Sequence, residues 1–274
     1  MVNKIRIHTL GTSHGDATFC RFNSSTCYET MNGACYMVDC GAPAEALLRR
    51  NGLNVSDVKA IFITHMHDDH VGGMTGFLKQ VQKYTGGRTE PVRVFFPEER
   101  AKEAFGAWFY VLHLNPDSEY FDYHVTVPGD IYEDENVKVS AINTRHLRYH
   151  GQYVSFAYIL EFKNENVTIL HTGDLHETFS DFPQIAYERH FDACLTEATH
   201  HKPEVAAEIL KGTKLSKLIL VHVGNRWHNI FDGVLETHFG EKELLEYYKE
   251  LPFDVNIAHD GEVFNIYGND KKEQ

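Results

Sequence analysis

Short apolar runs, separated by polar and glycine-bearing turns, recur along the whole chain. Residues 5–10 alternate polar and apolar like a strand, and Gly11-Thr12-Ser13-His14-Gly15 reads as the turn after it. Residues 17–21 are expected as a second strand, followed by the polar loop Asn23-Ser24-Ser25. Cys35–Val38 is a short apolar strand ending at Asp39. Residues 43–51 read as a helix, with Pro43 early and Ala46, Leu47 and Leu48 on the apolar side. Residues 60–64 form another strand. Val71, Met74, Leu78 and Val81 recur at helical spacing, so a helix is expected from about His70. Gly86-Gly87 breaks the chain, and residues 92–96 form a strand stopped by Pro97. The helical stretch 98–114 carries Trp108, Phe109 and Tyr110. Burial preferences put these aromatics in the core, the other reading being a substrate wall. Residues 137–143 are a strand, and 153–162 with 167–170 form a hairpin. Strands at 193–196 and 217–221 enclose a helix at 205–211. A helix at 241–251 puts Leu244, Leu245, Tyr248 and Leu251 on one face, 255–258 is the closing strand, and the charged tail 269–274 frays. Strands alternate with helices and no linker or repeat interrupts them, so the pattern predicts α/β layering in a single domain over 1–274.

Chemistry concentrates at one place in this pattern. The run Thr64-His65-Met66-His67-Asp68-Asp69-His70-Val71-Gly72-Gly73 follows the apolar residues Ala60-Ile61-Phe62-Ile63. That lead-in puts the cluster at the end of a buried strand rather than in a polar surface loop. Imidazoles and carboxylates packed this densely suit a divalent transition metal such as zinc. Asp39, His65, His146, Asp174, His222 and His259 each lie just past a short apolar strand. Side chains at strand ends can converge on one sheet edge. The cluster alone cannot close two metal sites, and His146, Asp174 and His222 are the best additional candidates by this strand-end rule.

Composition narrows the partners. The formal net charge of −13 disfavours a broad electrostatic grip on long nucleic acid, which needs clustered Lys and Arg. No run of about 18 apolar residues appears, so no membrane span is expected. The first residues, Met1-Val2-Asn3-Lys4-Ile5-Arg6-Ile7, lack an apolar signal region. Five cysteines without CxxC spacing fit reduced thiols in a cytoplasmic protein. The 18 histidines exceed what a generic domain needs and fit a metal site with a polar rim.

His65-Met66-His67-Asp68-Asp69-His70 matches the HxHxDH signature of the metallo-β-lactamase superfamily, and Asp39, His146, Asp174 and His222 stand in the order of its remaining motifs. The resemblance spans nearly the whole chain and implies a four-layer αββα sandwich with a dinuclear metal site at one edge. Leu10-Gly11-Thr12, Arg21 with Asn23-Ser24-Ser25, His222 with Arg226-Trp227, and Ala258-His259-Asp260-Gly261 resemble the ribonuclease Z-like phosphodiesterase branch. Carried over, the resemblance implies one metal on His65, His67 and His146, another on Asp69, His70 and His222, Asp174 bridging them, and Asp39 orienting a histidine from behind. Two departures stand out. The tRNA-trimming bacterial members carry a long arm between the motifs at His146 and Asp174, where only a hairpin fits here. Their His-Glu-Ala-Thr motif reads Thr196-Glu197-Ala198-Thr199, without its histidine.

Two divalent ions about 3.5–4 Å apart can hold a bridging hydroxide and clamp a phosphoryl oxygen. The expected function is therefore a metal-dependent hydrolase acting through a dinuclear-metal-bound hydroxide on a small phosphodiester. Asp69 orients the nucleophile and His200 is the candidate proton donor to the leaving oxygen. The ions are expected to be zinc, with manganese, iron or nickel accepted by the same donors. The rival readings are hydrolysis of a lactone, thioester or β-lactam at the same site, with His259 in place of His222 as the late ligand, and a non-catalytic metal-binding sensor. Ser24 and Ser25 could line the pocket. Of His14, His150, His171 and His176, at most one is expected to touch substrate. His113, His124, His190, His228 and His238 carry no motif and are expected to be structural or exposed. A homodimer through the aromatic-rich 104–114 segment is possible on composition alone.

Overall fold

The computed structural model describes residues 3–18, 20–84, 90–224, 227, 230–231, 235–236 and 239–268. Phe19, the Gly86-Gly87 break, Arg226, His228, His238 and the tail 269–274 lie outside the described residues. In chain order the strands are β1 (Lys4–Gly11), β2 (Ser25–Glu29), β3 (Cys35–Val38), β4 (Val58–Phe62), β5 (Val92–Phe96), β6 (Phe121–Val125), β7 (Gly129–Glu133), β8 (Val137–Asn143) and β9 (Arg148–Tyr149). They continue as β10 (Gln152–Tyr153), β11 (Phe156–Phe162), β12 (Val167–His171), β13 (Ala193–Ala198), β14 (Lys217–Val223), β15 (Ile230–Phe231), β16 (Leu235–Glu236), β17 (Asp254–Ile257) and β18 (Glu262–Tyr267). The helices are α1 (Ala44–Arg50), α2 (Asp68–Val71), α3 (Met74–Tyr84), α4 (Glu99–Val111), α5 (Ile185–Glu188), α6 (Pro203–Leu210) and α7 (Phe239–Tyr248).

Two seven-stranded sheets carry the fold, in the orders β18-β1-β2-β3-β4-β5-β6 and β17-β14-β13-β12-β11-β8-β7. Between them lies one apolar layer, including Ile5, Tyr36, Phe62, Phe95, Tyr158, Phe162 and Leu195. Leu47 and Leu48 of α1, Phe77 and Leu78 of α3 and Phe109 of α4 cover the outside of the first sheet. Ala186 of α5, Ala206 and Leu210 of α6 and Leu244 and Tyr248 of α7 cover the outside of the second. Helix, sheet, sheet and helix make four layers, the αββα sandwich expected from the motifs. In each sheet a block of four strands reaching one edge runs parallel: β3 to β6 in one, and β12, β13, β14 and β17 in the other. Parallel strands gather their C-terminal ends at one rim, where open α/β sheets bind ligands.

Several local expectations are corrected. Residues 17–21 do not form a strand. Thr18 N donates to Arg21 O at 2.7 Å and Arg21 N to Thr18 Oγ1 at 3.0 Å, closing a turn that sends the Arg21 side chain inward. The second strand is β2, which takes in Ser25 of the expected polar loop. Its buried carboxylate is paired, Glu29 with Arg6 and with His8 Nε2 at 2.8 Å. The helix expected from His70 is split into α2 and α3 at Gly72 and Gly73. There Gly73 N donates to Cys40 O at 2.8 Å, and a Cβ on Gly73 would also stand 2.8 Å from that oxygen, so the backbones approach as only glycine permits. In the aromatic run only Phe109 is core; Trp108 is 56% and Tyr110 72% exposed. Residues 255–258 do not close the fold, because β18 follows and pairs antiparallel with β1.

All five cysteines are free thiols, as expected for reduced residues. No helix among the described residues is long and apolar enough to cross a membrane.

Candidate metal centre

The sandwich delivers chemistry to one rim. Asp39 follows β3, His65 to His70 follow β4, His146 follows β8, Asp174 follows β12, and His222 lies at the C-terminal end of β14. Tight backbone aims them. Asp39 and His222 have φ of 60° and 48°, a region that non-glycine residues adopt only where the surroundings hold them. Gly173 has φ 59° and a Cβ there would lie 2.8 Å from Thr64 Cβ, so glycine lets Asp174 close onto the His cluster.

Asp174 Oδ2 is the hub. The Nε2 atoms of His65 and His146 and Nδ1 of His200 lie 3.7 Å from it, and those of His70 and His222 lie 3.5 Å away. These distances are too long for hydrogen bonds, yet five ring nitrogens face one oxygen. His67 Nδ1 stands 2.9 Å from His65 Nε2 and 3.3 Å from His146 Nε2. Asp69 Oδ2 stands 3.0 Å from His222 Nε2 and 3.4 Å from His70 Nε2. Each of the sets His65, His67, His146, Asp174 and Asp69, His70, His222 has donor atoms within 4.8 Å of one another. Imidazole nitrogen with carboxylate oxygen is the donor chemistry of divalent transition metals, and the residues fit such ions. Buried His70 Nε2 and Asp174 Oδ1 make no hydrogen bond within the protein, which fits atoms reserved for a cation.

The partners behind these groups fix their orientation. Asp39 Oδ2 holds His70 Nδ1 at 2.7 Å while its Oδ1 accepts Thr64 N at 2.7 Å, so His70 turns Nε2 toward the centre. His146 Nδ1 faces Leu175 O at 3.3 Å, which does the same for its ring. Burial would raise the Asp174 carboxyl, but His222 and His70 hold it well below the usual range. Burial opposes ionisation of Asp69 in the same way, and the hydrogen bond with His222, together with the nearby His70 ring, outweighs it. Burial, with His70 beside it, keeps His65 well below its ordinary pKa, leaving its ring nitrogen a ligand rather than a cation.

Glu197 is the residue that sequence reasoning undervalued. Its Oε2 accepts Thr199 N and His200 N at 2.8 Å each, and its Oε1 accepts Leu175 N at 3.2 Å and lies 3.1 Å from His200 Nδ1. It thus ties the loop bearing His200 to the strand end bearing Asp174. Burial would lower the His200 pKa; the hydrogen bond and charge of Glu197 outweigh it and carry it up to about 9. An acidic side chain inside the wholly buried Ala193–Ala198 strand was the available signal, since a buried carboxylate must be paired. The position lacking the expected histidine, Thr196, is buried and accepts Thr172 Oγ1 at 3.0 Å inside the sheet.

Other candidates sort by position. His259 Nε2 pairs with Glu241 at 3.0 Å and belongs to none of the metal-competent groups among the described residues, whereas His222 does. His171 is buried, with Nδ1 2.7 Å from Tyr28 OH. His150 is exposed, and His176 Nδ1 meets Thr178 Oγ1 at 2.9 Å. His124 and His190 pair with Asp122 and Asp192, and His113 is exposed. Ser24 and Ser25 line a cavity of about 10 Å³ beneath Asp39, His70, Asp174 and His222. Only short hairpins, β9–β10 and β11–β12, fill the interval between His146 and Asp174.

A family model described as anti-Pycsar protein Apyc1 matches residues 5–245. Ribonuclease Z of Crocosphaera subtropica is 32% identical over 143 residues, which cover 52% of this chain and 45% of that protein. The match thus spans less than half of that relative. The metallo-β-lactamase fold protein YhfI of Bacillus subtilis superposes with a TM-score of 0.73 at 16% identity, covering 96% of this chain and 99% of that one. The short form of human tRNase Z gives 0.71 at 20% identity, covering 95% and 99%. These two structural likenesses show the fold.

Proposed function

Because the chain belongs to the anti-Pycsar protein Apyc1 family, within the metallo-β-lactamase superfamily, we propose that it is a metal-dependent hydrolase of small phosphodiesters. The observation that carries this reading is the convergence of five ring nitrogens within 3.7 Å of Asp174 Oδ2. In the proposal His65, His67 and His146 hold one divalent cation, Asp69, His70 and His222 a second, and Asp174 bridges them. Zinc is the ion we favour, and the same donors accept manganese, iron or nickel. When bound, such cations bring the pKa of a water nucleophile toward neutrality and offset charge on a phosphoryl oxygen. Asp69 orients that water through its carboxylate. His200 presents its Nε2 proton to the leaving oxygen, because Glu197 at 3.1 Å keeps Nδ1 as a donor on the other side of the ring. The short hairpins after His146 and the net charge of −13 favour a small substrate over a long nucleic acid. The wider reading is of one hydrolase domain, working in the cytoplasm, with a homodimer as the assembly.

Purified protein loaded with zinc or manganese should hydrolyse bis-p-nitrophenyl phosphate and leave a panel of lactones intact. Turnover of lactones with none of any phosphodiester would replace this reading with the carbonyl one.

A further inference from the structure

The turn after β1 brings one more imidazole beside His222, and the proposed function leaves it without a role. Val223, the residue after His222, donates its N–H to Thr12 O at 2.9 Å, and Ser13 bridges to Val223. Residue 14 is thereby fixed beside residue 222. The His14 ring stands edge-on to His222, centroids 6.4 Å apart and planes at 72°. His200 stacks on His222 from another side, at 5.4 Å and 25°. His14 and His200 therefore flank the same histidine.

The turn is held rigidly. Asp260 Oδ1 accepts Thr12 N at 2.9 Å and its Oδ2 accepts Phe22 N at 2.5 Å, pinning both ends. Ser13 N donates to Phe22 O at 2.8 Å across the base of the turn. Buried Arg21 adds a bond from Nη1 to Thr12 Oγ1 at 2.6 Å. A donor locked in place in this way gives up little freedom when it meets a ligand.

We propose that His14 is a substrate-contacting residue, whose ring N–H donates to a phosphoryl oxygen from the β1 side of the centre. In every tautomer an imidazole keeps at least one N–H, so the donor is present across the neutral range. The need for it follows from charge. Asp69, Asp174 and Glu197 are buried carboxylates, and an anionic ester entering among them requires donors on its outward side. His14 supplies one from the turn after β1 as His200 supplies one from the loop after β13. This role rests on the phosphodiesterase reading.

The test uses metal-loaded wild type, His14→Ala and His14→Gln, with three measurements: metal content, hydrolysis of bis-p-nitrophenyl phosphate, and binding of inorganic phosphate by titration calorimetry. Metal content should not change. In His14→Ala, kcat/KM should fall roughly 10- to 100-fold and phosphate binding should weaken to a similar degree. Glutamine, which keeps an N–H donor, should recover part of both. Values for His14→Ala within about twofold of wild type would overturn the contact. Loss of metal in that variant would also overturn it, by making His14 a ligand. A loaded wild type that binds phosphate without cleaving the ester would sink the proposed function and leave His14 to be judged on phosphate affinity alone. Wild type that neither binds phosphate nor cleaves the ester would refute both.

Discussion

Asp174→Asn is expected to lose bound metal and to lower phosphodiester turnover by roughly a thousandfold or more, as the loss of several kcal/mol of charge stabilisation implies. Asparagine keeps the volume and removes the charge. In the wild type Asp174 Oδ2 lies within 3.7 Å of ring nitrogens from both proposed metal sets, His65 and His146 of one and His70 and His222 of the other. Without it the two sets of imidazoles share no anion, and two cations placed side by side have no common counter-charge. The loss should appear together in metal analysis and in the ester assay, with the thermal transition of the metal-free protein recorded as a folding control. Full activity in a folded Asp174→Asn variant would refute the bridging role.

The second large effect falls on stability. Arg21 is fully buried, donating from Nη1 to Thr12 Oγ1 at 2.6 Å and Ala258 O at 2.5 Å, and from Nη2 to Glu241 at 2.7 Å. It joins the turn after β1, the end of β17 and helix α7. Arg21→Met keeps most of the bulk and strands those acceptors, so it should cost about 3 kcal/mol, as breaking a buried ion pair does. For a chain of this size that lowers Tm by roughly 6–12 °C. An unchanged Tm would show that the guanidinium contributes no net stability.

The same cluster gives a pH signature. Burial would raise the Glu241 carboxyl, but the His259 hydrogen bond and Arg21 hold it down at about 2, against 4.5 for a free glutamate. Its contribution is fully present above 4.5 and is lost as pH falls toward 2. His259 is shifted the other way, raised by its hydrogen bond to Glu241, so its contribution is complete below 6.5 and fades as pH rises through the folded value. The stability gap between wild type and Glu241→Gln should therefore be widest between pH 4.5 and 6.5, close on acidification, and narrow on the alkaline side to the part that Arg21 supports. A gap that grows below pH 4 would contradict this pairing.

The centre was legible because metal chemistry leaves dense marks. His65 to His70 fall within six residues, and the remaining donors each lie at or just past the end of a strand. The strand-end rule could not choose between His222 and His259, since both satisfy it. Three dimensions separate them: the positive φ of His222 turns its ring to Asp69, while His259 finds Glu241. Elements with weak hydrophobic contrast went unread. In β18 only Ile266 is buried, and in β6 only Phe121, so neither carries a clear alternation. Strand β2 hid for the opposite reason. Ser25, Thr26 and Glu29 are all buried, and a window of polar residues looks like a loop although its backbone pairs with β1 and β3. Phe109 between exposed Trp108 and Tyr110 shows the limit of composition, since α4 has only one face toward the sheet.

The proposed site at the rim of the sandwich has room for a pair of divalent cations on two donor sets. Native mass spectrometry of the wild type at saturating zinc measures this directly. Two ions per chain are expected, the stoichiometry of a dinuclear hydrolase. A limit of one ion per chain, or none, would contradict it.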